Sequence, residues 1–401
     1  MIKKMKKRDY PWVNRLFRRN TQRPASTGRI PDLRAVILSD LHFSDNRNAI
    51  ASILPLVSTE DELMETITRQ VIHEKPDVFI MTGDNTSNGR DSEVQTLLPY
   101  LQRIKDAGIP VICIPGNHDF ARMDKETWKQ YYYPLCTITD RDTDTLSYSA
   151  VIHGVKFLAM DDCSYSHGDH GEFPVSTMRW LRKELLSTPV SMPVVFLSHY
   201  SVLTGRNTRE DIRYRIQNPR LYNLLKNAHV KLCFSGHQHN RKILKDREMY
   251  EIISGTPLAY PHTLGILKIT GTHVSCRTEL IDFDQYGPEH YAAKVRKLNH
   301  AHDLSMTKIL RGIVSRLYTQ EDEIREITAL FLRILTAAQG GTLYEQLKDI
   351  QANPYYDKMF TAMASTNYGP WLDTLFKTTI HSSCTLDFTL DEQPSQRRVR
   401  M

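Results

Sequence analysis

Val78-Phe79-Ile80-Met81-Thr82-Gly83-Asp84-Asn85 sets the pattern for the whole chain: a short apolar run, a glycine, then a cluster of polar side chains. Four more apolar runs lead to polar clusters, two of them through a glycine and two through a serine. Ala35-Val36-Ile37-Leu38-Ser39 leads to Asp40-Leu41-His42, and Val111-Ile112-Cys113-Ile114-Pro115 leads to Gly116-Asn117-His118-Asp119. Val194-Val195-Phe196-Leu197-Ser198 leads to His199-Tyr200, and Lys231-Leu232-Cys233-Phe234-Ser235 leads to Gly236-His237-Gln238-His239. Apolar runs that are continuous rather than alternating are expected of strands covered on both faces. Amphipathic stretches between them predict helices near Asp61 to Glu74 and Glu93 to Ala107, the second stopped by Gly108 and Pro110. Strand–helix alternation of this kind predicts a layered α/β fold. Ligands in such folds bind beyond the carboxyl ends of the strands, where all five polar clusters fall.

The ligand types narrow the chemistry. Two Asp, one Asn and four His, with one His to spare, are enough for a two-metal centre, a common device for phosphate esters. A carboxylate shared by two cations holds them about 3.5–4 Å apart. Asp84 is the natural bridge, because it stands alone on a glycine-supported turn without a His neighbour. In Asp40-x-His42 and His237-x-His239, residues two apart can face the same side of an extended segment. Neutral imidazoles suit zinc, iron or manganese, whereas an all-oxygen set would suit magnesium.

Composition excludes several classes. With 401 residues, 40% hydrophobic and 24% charged, the chain is that of an ordinary globular protein with room for one large domain and an appendage. No run of eighteen apolar residues predicts a membrane-spanning helix. Residues 1–30 form a basic tail with no apolar core behind it, so no signal peptide is expected. Cys113, Cys136, Cys163, Cys233, Cys276 and Cys384 form no CxxC pair, which fits a reducing, cytoplasmic setting. The net charge of +6 is more than accounted for by the first 23 residues. That tail is a candidate contact for nucleic acid or an anionic surface, although a solvated arm is the simpler reading.

Residues 144–162 and 249–283 read as further β structure. From about residue 288 the period changes: Thr319-Gln-Glu-Asp322 has the form of a capping box, followed by Ile324, Ile327, Leu330, Phe331, Ile334 and Leu335 at helical spacing. Leu343, Leu347 and Ile350 form another such set. These stripes are read as the core of a helical C-terminal subdomain, with a homodimer face or a lid as alternatives.

The order DxH, GD, GNHD, H, GHxH resembles that of the calcineurin-like metallophosphoesterase superfamily. Gly83-Asp84-Asn85-Thr86-Ser87-Asn88-Gly89, Pro115-Gly-Asn-His-Asp119, Leu146-Ser147-Tyr148, Met160-Asp161-Asp162 and Trp180-Leu181 resemble its class III, cyclic-nucleotide phosphodiesterase-like branch. The resemblance covers about residues 33–285. It implies a four-layer α/β sandwich, two mixed β-sheets flanked by helices, over residues 31–287, with the α-helical subdomain over 288–401. It further implies two divalent metal ions (Mn2+, Fe2+/Fe3+ or Zn2+). Asp40, His42, Asp84 and His239 would hold the first; Asp84, Asn117, His199 and His237 would hold the second. A metal-bridging hydroxide would attack phosphorus in line, and His118, not a ligand, would neutralise charge or protonate the leaving oxygen.

Two departures stand out. Many relatives carry an acidic residue three places after the bridging Asp to orient the catalytic His; here that position is Ser87. Some carry a second His where this chain has Tyr200. Neither removes a ligand. The expected activity is hydrolysis of a small phosphodiester, with a cyclic or small nucleotide as one candidate. A phosphomonoesterase, a phospholipid-headgroup hydrolase and a nuclease on the same site are the alternatives. A metal-free scaffold would be marked by a missing ligand, and none of the seven is missing. Among the remaining polar residues, the loop Ser166–Glu172 reads as a solvated Gly-rich rim segment that could touch substrate, with a third metal site as the alternative, and His153 reads as part of a hairpin turn. Tyr260-Pro261-His262 reads either as pocket lining or as an ordinary turn.

Overall fold

The computed structural model describes residues 32–44, 54–166, 170–204, 214–247, 249–379 and 382–390. The basic tail of residues 1–30 lies outside these. The strands are β1 (Asp32–Leu38), β2 (Val78–Thr82), β3 (Val111–Ile114), β4 (Asp140–Arg141), β5 (Tyr148–Ile152), β6 (Val155–Ala159) and β7 (Val194–Leu197). They continue as β8 (Leu232–Ser235), β9 (Lys242–Asp246), β10 (Met249–Ile253), β11 (Thr263–Thr270), β12 (His273–Leu280) and β13 (Thr385–Thr389). One sheet has the order β13-β12-β11-β1-β2-β3 and the other β4-β5-β6-β7-β8-β10-β9.

The continuous apolar runs have a simple cause. Successive side chains of a strand point to opposite faces, and here both faces are buried. In β1, Ala35 and Ile37 face the core between the sheets, where Phe157, Val195, Leu197 and Phe234 meet them from the second sheet. Val36 and Leu38 face the other way, onto Leu63, Ile67, Leu97 and Leu101 of helices Glu60–Glu74 and Asp91–Asp106. The second sheet is covered likewise by helices Val175–Ser187 and Pro219–Asn227 through Leu181, Leu185, Leu221 and Leu225. The result is the four-layer sandwich. Burying each such side chain is worth about 1.5–3 kcal/mol, so the two-sided burial fixes strand register on both faces at once.

β1, β2 and β3 are mutually parallel, as are β6, β7 and β8. Their carboxyl ends therefore open onto one edge of the sandwich. The helix Asp91–Asp106 stops where expected, with Gly108 in the left-handed region and its N–H on Lys105 O at 2.9 Å.

The C-terminal region is helical, with a separate core that includes Leu310, Ile327, Phe331, Ile334, Ile350 and Met359. Three details differ from the sequence reading. The helix Glu321–Gly340 begins without a side-chain cap, so Thr319 does not form the capping box; Gln320 is the boundary residue. The helical run is not the whole segment, because Thr385–Thr389 returns to pair antiparallel with β12 as an edge strand. Its alternating Leu386 and Phe388 pack against the inter-sheet core, which explains the return. Nor is residue 288 a clean break, since Tyr291 and Val295 at the start of helix Tyr291–Val314 pack into the core beneath the first sheet. No helix among the described residues is long and apolar enough to cross a membrane.

Candidate metal centre

The five polar clusters meet at the shared edge. Asp40, His42, Asp84 and His239 bring one ligand atom each to within 4.8 Å of one another, and Asp84, His199 and His237 do the same. Asp84 belongs to both groups. His42 Nε2 lies 3.5 Å from Asp84 Oδ2, and His199 Nε2 approaches that oxygen at 3.4 Å from the other side. His239 Nε2 lies 3.5 Å from Asp40 Oδ1 and 2.9 Å from His42 Nε2. Asn117 Oδ1 is 3.1 Å from His199 Nε2 and 3.0 Å from His237 Nδ1. Imidazole nitrogens and carboxylate oxygens thus converge in two adjoining sets with too few protons between them to bond every pair. Mixed nitrogen and oxygen donors in that arrangement fit two divalent cations.

The local backbone is built for this convergence at some expense. Asp40, His42, Asp84, His237 and His239 all have positive φ, between 46° and 66°. A left-handed conformation costs a non-glycine residue about 1–2 kcal/mol, and it persists where the surroundings hold it. Here they do. The His237 N–H donates to Asp40 Oδ1 at 2.9 Å, the His118 N–H to Asp84 Oδ1 at 2.9 Å, and the His42 N–H to Asp84 O at 2.9 Å. Gly116 has no side chain because a Cβ would collide with Asp84 N and Oδ1, so the GNHD turn can lie directly against the shared carboxylate.

Three buried carboxylates that the sequence reading did not single out brace the turns. Asp119 accepts hydrogen bonds from Gly116 N (2.9 Å), Asn85 N (3.2 Å), Asn85 Nδ2 (2.9 Å), Thr86 N (2.9 Å) and Thr86 Oγ1 (2.8 Å), locking the β2 turn to the β3 turn. Asp162 accepts from the N–H groups of His199 (3.1 Å) and Tyr200 (2.8 Å). Glu251 accepts from Ser201 Oγ, Val202 N, Leu203 N and Ser235 Oγ, gripping the segments that carry His199 and His237. Asp119 belongs to the quoted GNHD motif and Asp162 to the β6 strand end, but of their partners just named all except Gly116 lie 33 or more residues away in sequence. Only the fold reveals those partners.

Ring orientation is also fixed. His199 Nδ1 lies 3.0 Å from Thr82 O, which assigns its proton to that nitrogen and turns Nε2 toward Asp84. His118 Nδ1 lies 2.9 Å from the backbone carbonyl of Ser87. The acidic residue missing at position 87 is therefore replaced by a main-chain oxygen of the same residue, while Ser87 Oγ donates to His42 O at 2.5 Å. Tyr200, where some relatives have His, is buried with its ring 4.3 Å from that of His237 and supports it from below.

Electrostatics divide floor from rim. Asp40, Asp84 and His199 are fully buried, whereas His118 is exposed. Burial holds His42 and His237 down at about 3, leaving both imidazoles neutral with free lone pairs. Burial pushes the Asp40 carboxyl up, against His239 and His199. Burial also works against the charged form of Asp84, yet His199 and His42 outweigh it and hold the carboxyl well below its usual range. For His199 burial is likewise overcome, by Asp84 and Asp40, and its imidazole is raised to about 10. A cation binding there would take over the counter-charge that this proton supplies.

The other polar residues separate from the centre. His153 sits in the β5–β6 turn, 3.0 Å from Asp77. His262 is buried and bonded to Pro257 O (2.9 Å) and Asn299 Oδ1 (3.0 Å), so it is a structural joint rather than pocket lining. His170 pairs with Glu172 at 3.1 Å, and residues 167–169 of that loop lie outside the described residues.

The family model for calcineurin-like phosphoesterases matches residues 33–241. A glycerophosphodiester phosphodiesterase of Enterobacter lignolyticus is 23% identical over 211 residues, covering 53% of this chain and 72% of the relative. A cAMP/cGMP dual specificity phosphodiesterase of Mycobacterium tuberculosis is 22% identical over 213 residues, covering 52% of this chain and 62% of the relative. Among solved structures, a dimetal phosphatase from Danio rerio shares the fold with a TM-score of 0.51 at 14% identity, covering 63% of this chain and 97% of that one. The chain belongs to the calcineurin-like phosphoesterase family, and is a hydrolase acting on phosphoric ester bonds.

Proposed function

We propose that the protein hydrolyses a small phosphodiester at a dinuclear centre. The observation that carries this reading is Asp84, one carboxylate shared by two ligand groups. In this assignment Asp40, His42, Asp84 and His239 hold one ion, and Asp84, Asn117, His199 and His237 hold the other. The four imidazole ligands, with His199 giving up its proton on binding, favour manganese, iron or zinc. Two such ions supply Lewis acidity toward the phosphoryl oxygens and a water nucleophile ionised near neutral pH.

The chain's own residues do the rest. The buried floor excludes bulk water and strengthens every charge interaction above it. His118 stands at the rim with its Nδ1 proton engaged by Ser87 O, so Nε2 is the atom presented to substrate, where it can carry a proton to the departing alkoxide. A diester is favoured over a monoester because the named relatives are phosphodiesterases of glycerophosphodiesters and cyclic nucleotides. The same reading keeps residues 31–287 as the catalytic unit and gives 288–401 an accessory role.

A substrate panel with Mn2+ tests it: glycerophosphodiesters, cyclic nucleotides, oligonucleotides and phosphomonoesters assayed on the full chain. A kcat/KM at least tenfold higher for one of the small diesters than for every monoester and oligonucleotide is expected. Faster turnover of phosphomonoesters would overturn the diester assignment.

A further inference from the structure

Arg241 lies two residues beyond His239 and is 3% exposed. A guanidinium taken out of water needs a counter-charge. Among the described residues no carboxylate pairs with it, and its Nη2 has no hydrogen-bond partner. Burial lowers it to about 10, which leaves it charged at neutral pH.

Gly265 of β11 lies against Nη1 of Arg241, and the C-terminal segment supplies further contacts. Its Nε donates to Ser383 O at 3.1 Å. The next strand makes a parallel contact, Ile243 N to Ser383 Oγ at 3.3 Å. Gly341, the left-handed cap of helix Glu321–Gly340, packs so closely that a Cβ there would meet Arg241 Cγ at 2.7 Å. Cys384 Sγ in turn reaches Gly340 O at 3.3 Å. The end of this helix therefore packs on the aliphatic stem of Arg241, and the guanidinium's hydrogen bond goes to the carbonyl of Ser383. In place of a carboxylate the guanidinium has the Ser383 carbonyl, from the approach to β13, while the cap of helix Glu321–Gly340 holds its stem.

The other side of Arg241 is the turn that carries His237 and His239, both in left-handed backbone. That turn is tied on its amino side by Gly236 N to His199 O (3.0 Å) and His237 N to Asp40. On its carboxyl side Lys242 Nζ donates back to Gln238 Oε1 at 3.2 Å, and Arg241 is the side chain that reaches the C-terminal segment. We propose that Arg241 is a positioning residue that fastens the His237–His239 turn to the C-terminal segment, so that docking of this segment sets the affinity of the metal site that includes His239. This rests on the ligand assignment above.

The test uses the full chain with Mn2+ alone as probe: calorimetric titration of wild type, Arg241→Met and Arg241→Lys, with hydrogen exchange followed over residues 321–341 and 382–390. Loss of a partner that orients a metal ligand weakens metal binding by about 10–100-fold. Arg241→Met should weaken one of two Mn2+ sites by that factor, leave the other within about threefold, and raise exchange at 382–390. Arg241→Lys keeps the charge and should recover most of the affinity. Should Arg241→Met fail to fold, Arg241→Gln takes its place, with the same weakening of one site expected and unchanged affinities at both overturning the idea. Two ions of unchanged affinity in Arg241→Met would overturn this proposal alone, as would parallel weakening of both sites. A wild type that binds no pair of ions would overturn the ligand assignment and this proposal with it.

Discussion

Replacing His118 by Ala should slow hydrolysis in a way that depends on the leaving group. His118 contributes no ligand atom to either metal group, and its own backbone N–H, which survives the substitution, is what holds Asp84 Oδ1 at 2.9 Å. Asp119 and Gly116 brace the turn independently of the imidazole. The substitution therefore removes proton delivery and little else. General acid catalysis by a positioned side chain contributes about 10²–10⁴-fold, or roughly 3–5 kcal/mol of barrier. That full loss is expected for an alkyl diester, whose alkoxide must be protonated as it leaves. An aryl diester such as bis-p-nitrophenyl phosphate releases a stabilised phenolate and should lose less than about tenfold. The assay is kcat on both substrates at saturating Mn2+, with bound metal measured in parallel. Equal losses on the two substrates would refute the general-acid role, and unchanged rates on the alkyl diester would refute any catalytic role.

Three further outcomes follow from the same geometry. Ser87→Ala should keep turnover within about threefold, because His118 is oriented by the carbonyl of residue 87 and not by its side chain; a loss on the scale of His118→Ala would contradict this. Asp119→Ala strands three backbone N–H groups in a buried site, each costing about 1–3 kcal/mol, so urea denaturation should show a destabilisation of at least about 3 kcal/mol. Glu60 is buried at a helix start, and burial raises its carboxyl from 4.5 to about 7. Its folded form prefers the proton, so its contribution to stability is whole below pH 4.5 and is lost as pH rises through 7. Glu60→Gln should thus add up to about 3 kcal/mol at pH 8 and almost nothing at pH 4, and a pH-independent effect in thermal melts would speak against it.

Much of the site was legible because its chemistry sits in short contiguous motifs. An Asp or His just past the end of an apolar run can be read without knowing where the chain goes next. The five runs also carried the fold, since two-sided burial writes itself as unbroken hydrophobicity in β1, β2, β3, β7 and β8. What could not be read depends on distant partners or on backbone atoms. Glu251 looks like an ordinary strand residue until Ser201 and Ser235 arrive on either side of it. The support for His118 is a carbonyl, which no side-chain inventory contains. Thr385–Thr389 is too short, and too far from β12, for its pairing to be anticipated. The Thr319 capping pattern matched a motif whose geometry the helix start does not adopt.

In the proposed centre one carboxylate, that of Asp84, would join two cations. Metal content after equilibrium dialysis against Mn2+, compared between wild type and Asp84→Ala, tests it most directly. Two ions per wild-type chain are predicted, with loss of at least one ion and of turnover in Asp84→Ala. A wild type that binds a single ion, or an Asp84→Ala variant that keeps two ions and near-native hydrolysis, would contradict it.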